Sequence, residues 1–175
     1  MKKYFSPTTI TAIFIGLSMG LSSLANADGL YLGGGAYLTR AETQNLDETD
    51  GTLAAQVGYG IVDLGLITLS SELGFYDLGE YTENGVNVDA EAIGVAAVGN
   101  LSVLPFLELY AKLGIADVDV QVNNNDFDGT EDFRGIGMAL DIFDTIDIYL
   151  EYLEFDTEVD SKSLGVGVRL DLPLL

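Results

Sequence analysis

Apolar and polar residues alternate in short segments along most of the chain. The last of these segments, "SLGVGVRLDL" at 163–172, places Leu or Val at every second position and Ser, Gly, Arg or Asp between them. Strict alternation of this kind is the period of a β-strand with two unlike faces. The same pattern predicts eight strands, at 30–40, 52–62, 64–76, 88–101, 105–122, 133–143, 146–156 and 163–172.

The connections between these segments alternate in length. Short links at 62–64, 102–105 and 144–146 follow the second, fourth and sixth strands, whereas "AETQNLDETDG", "DLGEYTENGVN", "NNNDFDGTED" and "TEVDSK" follow the others. Barrels that cross an outer membrane have short turns at one rim and longer loops at the other. We therefore predict an all-β fold, an eight-stranded antiparallel up-and-down transmembrane β-barrel. We expect both chain ends at the periplasmic rim and the long acidic loops outside.

The two faces of the predicted strands have different compositions. One face carries large uncharged residues, and the other carries many glycines together with polar and charged residues. Glycine weakens a strand that faces water but suits the crowded interior of a small closed barrel. Lys112 and Arg169 fall on the glycine-rich face, with Glu72, Glu108 and Glu151. Since buried charges need partners, we expect interior carboxylates, with Glu72 and Glu151 favoured, to pair both cations.

The first 27 residues have the features of an export signal. Lys2 and Lys3 precede an apolar stretch at 10–21, and Ala25-Asn26-Ala27 forms a small-x-small cleavage site. We therefore predict a signal peptide at 1–27 and one barrel domain at 28–175.

Composition removes several classes of function. The chain has no Cys and no His, which excludes thiol and Ser-His nucleophiles and thiolate or imidazole metal ligands. Only five basic residues remain after the predicted signal, against 28 acidic ones, so we expect no nucleic acid partner. Carboxylates alone can catalyse glycoside hydrolysis, but no acidic pair stands out. We predict no enzyme activity and no cofactor.

One acidic segment resembles the start of a calcium loop. "NNDFDG" places Asn124, Asp126 and Asp128 at alternate positions before Gly129, but the twelfth position is Gly135 where a bidentate Glu is needed. We interpret the acidic loops as surfaces screened by salt. Divalent cations shared with lipopolysaccharide phosphates are the alternative.

Several segments resemble one family of membrane barrels. "SSELGFYDLGE", "LELYAKLGIADVDV", "IYLEYLEFD" and "SLGVGVRL" look like strands three, five, seven and eight of the outer membrane protein A type transmembrane domain, and "LYLGGGAYL" is similar to its first strand. The resemblance covers nearly the whole chain after the predicted signal. It implies a barrel in the outer membrane of a Gram-negative bacterium, assembled by the barrel-assembly machinery. It also implies an interior charge cluster at the matching positions, Glu72, Lys112, Glu151 and Arg169.

The interior of an eight-stranded barrel is just wide enough for side chains, so a general diffusion pore is not expected. We predict a small monomeric barrel with a structural or surface-interaction role, in contact with outer membrane lipid and lipopolysaccharide. A narrow channel or a conduit for small hydrophobic ligands is one alternative. A soluble periplasmic carrier resembling lipocalins is another, and it would need its large apolar residues inside.

Overall fold

The computed structural model describes residues 29–42, 47–83, 86–122, 125–143, 145–156 and 160–172. Eight antiparallel strands pair in chain order, and pairing of the first with the last closes the barrel, as predicted. Among the described residues, no helix is long and apolar enough to span a membrane. The strands are β1 (Leu30–Glu42), β2 (Asp47–Asp63), β3 (Ile67–Glu83), β4 (Val86–Leu104), β5 (Leu107–Val122), β6 (Asn125–Asp141), β7 (Ile146–Asp156) and β8 (Asp160–Leu172).

The predicted long loops are wrong in their extent, because strands occupy most of these segments. β2 begins at Asp47 and β6 at Asn125, within stretches assigned to loops, and β3 continues to Glu83. The prediction failed because acidic residues interrupt the apolar alternation while the backbone pairing continues through them. Of the loop segments, 43–46, 84–85, 123–124 and 157–159 lie outside the described residues. We call the end of the barrel with these links the extended rim, and the other end the short rim.

At the extended rim, four strands continue as a sheet beyond their pairing with β2 and β7. Pairing of β2 with β3 starts at Ala54 and Tyr76, and pairing of β6 with β7 starts at Asp132 and Asp156. Beyond these positions β3, β4, β5 and β6 continue as one antiparallel sheet, which we call the extension (77–83, 86–91, 117–122 and 125–131). A bulge in β3 between Asp77 and Gly79 starts it, and Gly79 adopts a φ of 105°, which favours glycine.

Between the extension and the short rim, large apolar side chains point outward from the barrel wall. This outward surface, which we call the apolar belt, matches the predicted lipid-facing stripe. The soluble carrier alternative is therefore wrong, since it required these residues inside. Exposed members of the belt include Leu38, Leu53, Leu69, Phe75, Leu109, Leu113, Ile115, Ile136, Met138, Ile148, Leu150, Leu164 and Val166.

The polarity of the two faces of β5 is reversed in the extension. On β5 the outward residues change from Leu113 and Ile115 to Asp117 and Asp119, and the inward residues become Val118 and Val120. On β4 only the outward face changes, from Val95 and Ile93 to Glu91 and Asp89, because its inward residues, such as Ala90 and Ala96, are apolar at both levels. The belt therefore has the polarity required in lipid, whereas the extension has the polarity of a water-soluble sheet.

Glycines in the barrel wall accommodate inward-facing aromatic rings. Tyr31 pairs with Gly58, Tyr37 with Gly165, Tyr110 with Gly137, Tyr149 with Gly167 and Phe133 with Gly114. In each pair a Cβ added to the glycine would overlap the ring. The interior thus holds large rings because their cross-strand partners lack side chains.

This packing predicts different effects for two glycine substitutions. Gly165→Ala places a methyl group in the volume of the Tyr37 ring and should destabilise the barrel by about 1–3 kcal/mol. Gly51→Ala is the control, because nothing lies within 4 Å of its added Cβ. Urea unfolding in detergent measures both. Equal stability of the two variants would contradict the packing account.

Candidate functional site in the barrel interior

Lys112 is the centre of the interior polar network. Its side chain is fully buried, and Nζ lies 2.6 Å from Oε1 of Glu72 and 2.7 Å from Oε1 of Glu151. These residues come from β5, β3 and β7, so one cation connects three strands across the barrel. Gln56 on β2 places its Oε1 at 3.5 Å from the same nitrogen.

Tyrosine hydroxyls donate hydrogen bonds to the second oxygen of each of these two carboxylates. Tyr31 donates a hydrogen bond of 2.9 Å to Oε2 of Glu72, and Tyr37 donates one of 2.8 Å to Oε2 of Glu151. Both tyrosines are on β1, the strand that closes the barrel. A buried charge is tolerated when ion pairs and hydrogen bonds replace its water shell, and this network supplies both.

Arg169 does not join this cluster, so the predicted single group of four residues is wrong. Its Nη2 lies 2.9 Å from Oε1 of Glu108, and its Nε donates a hydrogen bond of 2.8 Å to Asp147. The guanidinium also lies over the Tyr31 ring, at 5.3 Å from its centroid. Tyr31 therefore contacts both groups, which we call the central cluster (Glu72, Lys112, Glu151) and the rim cluster (Glu108, Asp147, Arg169).

The rim cluster differs from the central cluster in its access to solvent. It borders a cavity of about 300 Å³ at the short rim, whose lining includes Tyr31, Asn100, Glu108 and Arg169. The Arg169 side chain is 15% exposed, whereas Lys112 has no exposed surface. The interior is thus open at the short rim and filled at Lys112.

Aromatic rings fill the interior on the extended side of Lys112. The rings of Tyr76, Phe133 and Phe155 lie 5.1–5.5 Å apart between centroids, and Leu78 and Leu153 are buried with them. On β1, β2 and β8, the hydroxyl of Thr39 is bonded to those of Thr52 and Ser163 at 2.7 and 2.8 Å. Charged and apolar layers therefore follow one another along the barrel axis.

The segment that resembles a calcium loop lies mainly on β6. Asp126 pairs with Gln121 of β5 and Asp128 with Asp119, while Asn124 lies outside the described residues. No group of three or more Asp or Glu side chains that could hold a metal ion occurs in the described part of the chain. Cation binding by this surface stays a prediction.

The partners of Arg169 were not predicted from the sequence, although the strand face that carries them was correctly predicted to point inward. Alternation along one strand shows which face a residue occupies, but only the register shows which residues meet. Asp147 is the direct cross-strand partner of Arg169 in the β7–β8 hairpin. This pair could have been predicted from the sequence by counting residues outward from the link between β7 and β8. Glu108 comes from β5, across the barrel, and no local signal points to it.

Together, the closed antiparallel ring, the apolar belt and the paired interior charges define a small transmembrane β-barrel. The sequence matches the family described as "OmpA-like transmembrane domain" over residues 10–163. The chain belongs to this family of outer membrane barrels. No curated protein matched the sequence.

Solved structures with the same fold are distant in sequence. Neisserial surface protein A is 18% identical at a TM-score of 0.59, with 84% of this chain and 99% of that chain covered. Ail, the attachment invasion locus protein of Yersinia pestis, solved with the heparin analogue sucrose octasulfate, is 12% identical at a TM-score of 0.62, with 83% and 99% covered. The N-terminal barrel domain of Pseudomonas aeruginosa OprF is 15% identical at 0.59, with 81% and 97% covered. At these identities the comparisons show the fold alone.

The central cluster predicts a large effect for loss of its cation. Lys112→Met leaves Glu72 and Glu151 buried and unpaired and should destabilise the barrel by about 3–5 kcal/mol. Adding Glu72→Gln and Glu151→Gln should restore part of this loss. Arg134→Met is the control, because Arg134 pairs with Glu154 on the exposed surface. Urea unfolding in lipid vesicles measures all variants, and equal effects of Lys112→Met and Arg134→Met would contradict a buried network.

Proposed function

We propose that the protein is a closed outer membrane barrel that presents an acidic sheet outside a Gram-negative cell, with a structural and surface-interaction role. The closed state is supported by Lys112, whose side chain is fully buried between two carboxylates. The aromatic layer next to it is a second obstacle to ions and solutes. On this account the channel or conduit is the less favoured alternative, and no reaction is assigned to the barrel.

The surface role is supported by the extension. Its outward side carries Asp89, Glu91, Asp117, Asp119 and Asp128, and no basic residue occurs in its sequence. The sheet also projects beyond the apolar belt, which fits a position in the aqueous phase. A dense carboxylate surface attracts cationic groups over roughly the screening length of about 8 Å at physiological salt. We therefore propose cationic partners at this surface.

A closed interior predicts no sustained ion current. The purified protein in a planar bilayer should lack a steady conductance, because both filled layers block the axis. Lys112→Ala combined with Phe133→Ala removes one side chain from each layer and should allow small ion currents. Heat-modifiable migration of the variant in gels controls for folding. A steady conductance of the unchanged protein would contradict the closed state and favour the channel.

The acidic extension predicts binding of a cationic probe. Cells that display the protein should bind fluorescent polylysine, and this binding should decrease with added NaCl. Asp89→Asn, Glu91→Gln, Asp117→Asn and Asp119→Asn together should reduce binding at equal surface amounts, measured with an epitope tag. Asp63→Asn, near the short rim, is the control. If the four substitutions leave binding unchanged, the extension is not the surface that attracts cations.

A further inference from the structure

The cavity at the short rim has an excess of negative charge. Among the described residues that line it, Arg169 is the only basic one, and Glu108 and Asp171 line it as well. Asp147, which accepts a hydrogen bond from Arg169, is opposite Asp141 of β6 in the register. Like charges directly opposite each other on a sheet are destabilising. At this end of the interior, carboxylates therefore outnumber the one guanidinium.

One acceptor in the cavity wall is left without a partner. Asn100 of β4 lines the cavity and is 5% exposed. Its Nδ2 donates a hydrogen bond of 3.5 Å to Oγ of Ser70, but its Oδ1 has no hydrogen-bond partner within the described part of the chain. A buried amide oxygen without a partner costs free energy. Oδ1 is thus the atom of Asn100 that can accept a hydrogen bond from a molecule bound in the cavity.

The cavity is open at the short rim and blocked further inside. At its wall the Asp171 side chain is 42% exposed and that of Glu108 is 24% exposed. Further along the axis lies Lys112, whose side chain has no exposed surface. The volume of about 300 Å³ corresponds to roughly ten water molecules of the liquid. A small molecule could therefore enter from the short rim and stop below the central cluster.

The distribution of acceptors favours an organic ammonium over a metal ion. In the part of the chain that the structure describes, no three acidic side chains are grouped so that they could hold a metal ion. The acceptors are instead spread around the wall, with Asn100 on β4, Glu108 on β5 and Asp171 on β8. An ammonium group has donors only, and its hydrogen bonds to carboxylates are charge-assisted. Two ammonium groups joined by a short alkyl chain could reach separate parts of this wall.

We propose that the short-rim cavity binds a small alkyl diamine with both amines protonated. One ammonium group donates a hydrogen bond to Oδ1 of Asn100, and the other pairs with the carboxylates of Asp171 and Glu108. The diamine thereby offsets the excess negative charge while Arg169 keeps its own partners. This site goes beyond the proposed surface role, since it lies at the other end of the barrel from the extension. With the short rim at the periplasm, as predicted, the ligand comes from the periplasm.

Isothermal titration calorimetry of the protein in an uncharged detergent tests the proposal. The probes are 1,4-diaminobutane and butylamine at constant ionic strength. We expect 1,4-diaminobutane to bind about tenfold more tightly or better, because butylamine lacks the second charged group. Asn100→Leu and Asp171→Asn should each weaken diaminobutane binding by about tenfold, since each removes a partner of one ammonium group. CaCl₂ at matched ionic strength should not displace the diamine.

Further variants separate the cavity from general charge effects. Asn100→Asp keeps an oxygen acceptor and adds a negative charge, so binding should be retained or strengthened. The variant with four neutralised carboxylates on the extension is the control and should bind the diamine with unchanged affinity. Asp171→Asn remains informative if Asn100→Leu does not fold, because Asp171 lies at the exposed mouth of the cavity.

Several results would overturn the proposal. These are absence of diamine binding, unchanged affinity of both Asn100→Leu and Asp171→Asn, loss of binding in Asn100→Asp, or an equal loss in the extension variant. Equal affinity for butylamine would overturn the choice of a diamine, and displacement by CaCl₂ would overturn the choice of an ammonium. Because the extension variant removes the surface that attracts polylysine and leaves the cavity intact, failure of this proposal is distinct from failure of the proposed function.

Discussion

The closed hydrogen-bonded ring is the constraint on which the rest of the structure depends. Lipid offers no partner for a backbone N–H or C=O, so every strand of the belt must pair on both sides. Closure then sends alternate side chains into a narrow interior, and the polar groups buried at its centre can bond only with one another. Lys112 between Glu72 and Glu151, with tyrosines behind both carboxylates, satisfies this requirement. The glycines opposite the aromatic rings provide the space.

β5 passes from lipid to water because the polarity of its two faces reverses at one level. Below that level, the outward side of β5 carries Leu113 and Ile115, and the inward side carries Lys112. Above it, the outward side carries Asp117 and Asp119 and the inward side carries valines. The pairing of β5 with β4 and β6 continues through this level without a shift in register, so on β5 a change of side chains alone converts a membrane wall into a water-soluble sheet. The surface role proposed here lies on the aqueous side of this boundary.

Sequence alternation was enough to predict the strand count and the two faces of each strand, since these depend on residues close together in the chain. The up-and-down barrel was predicted from the alternating lengths of the links. Alternation did not reveal the strand continuation through acidic segments such as 125–132, because pairing there is supported by neighbouring strands and not by an apolar stripe. It also could not place Arg169 with Glu108, because that contact joins β8 and β5 across the barrel. Register and stagger decide such contacts, and they are properties of the closed ring.

The most direct test of this account locates the polarity boundary in a bilayer. Spin labels placed singly on β5 at Leu113, Ile115, Asp117 and Asp119 report collision with oxygen, which concentrates in lipid, and with a water-soluble nickel chelate. We expect oxygen access at 113 and 115 and chelate access at 117 and 119, with the same change on β4 between Ile93 and Glu91. Lipid-like access at 117 and 119, or aqueous access at 113, would contradict it.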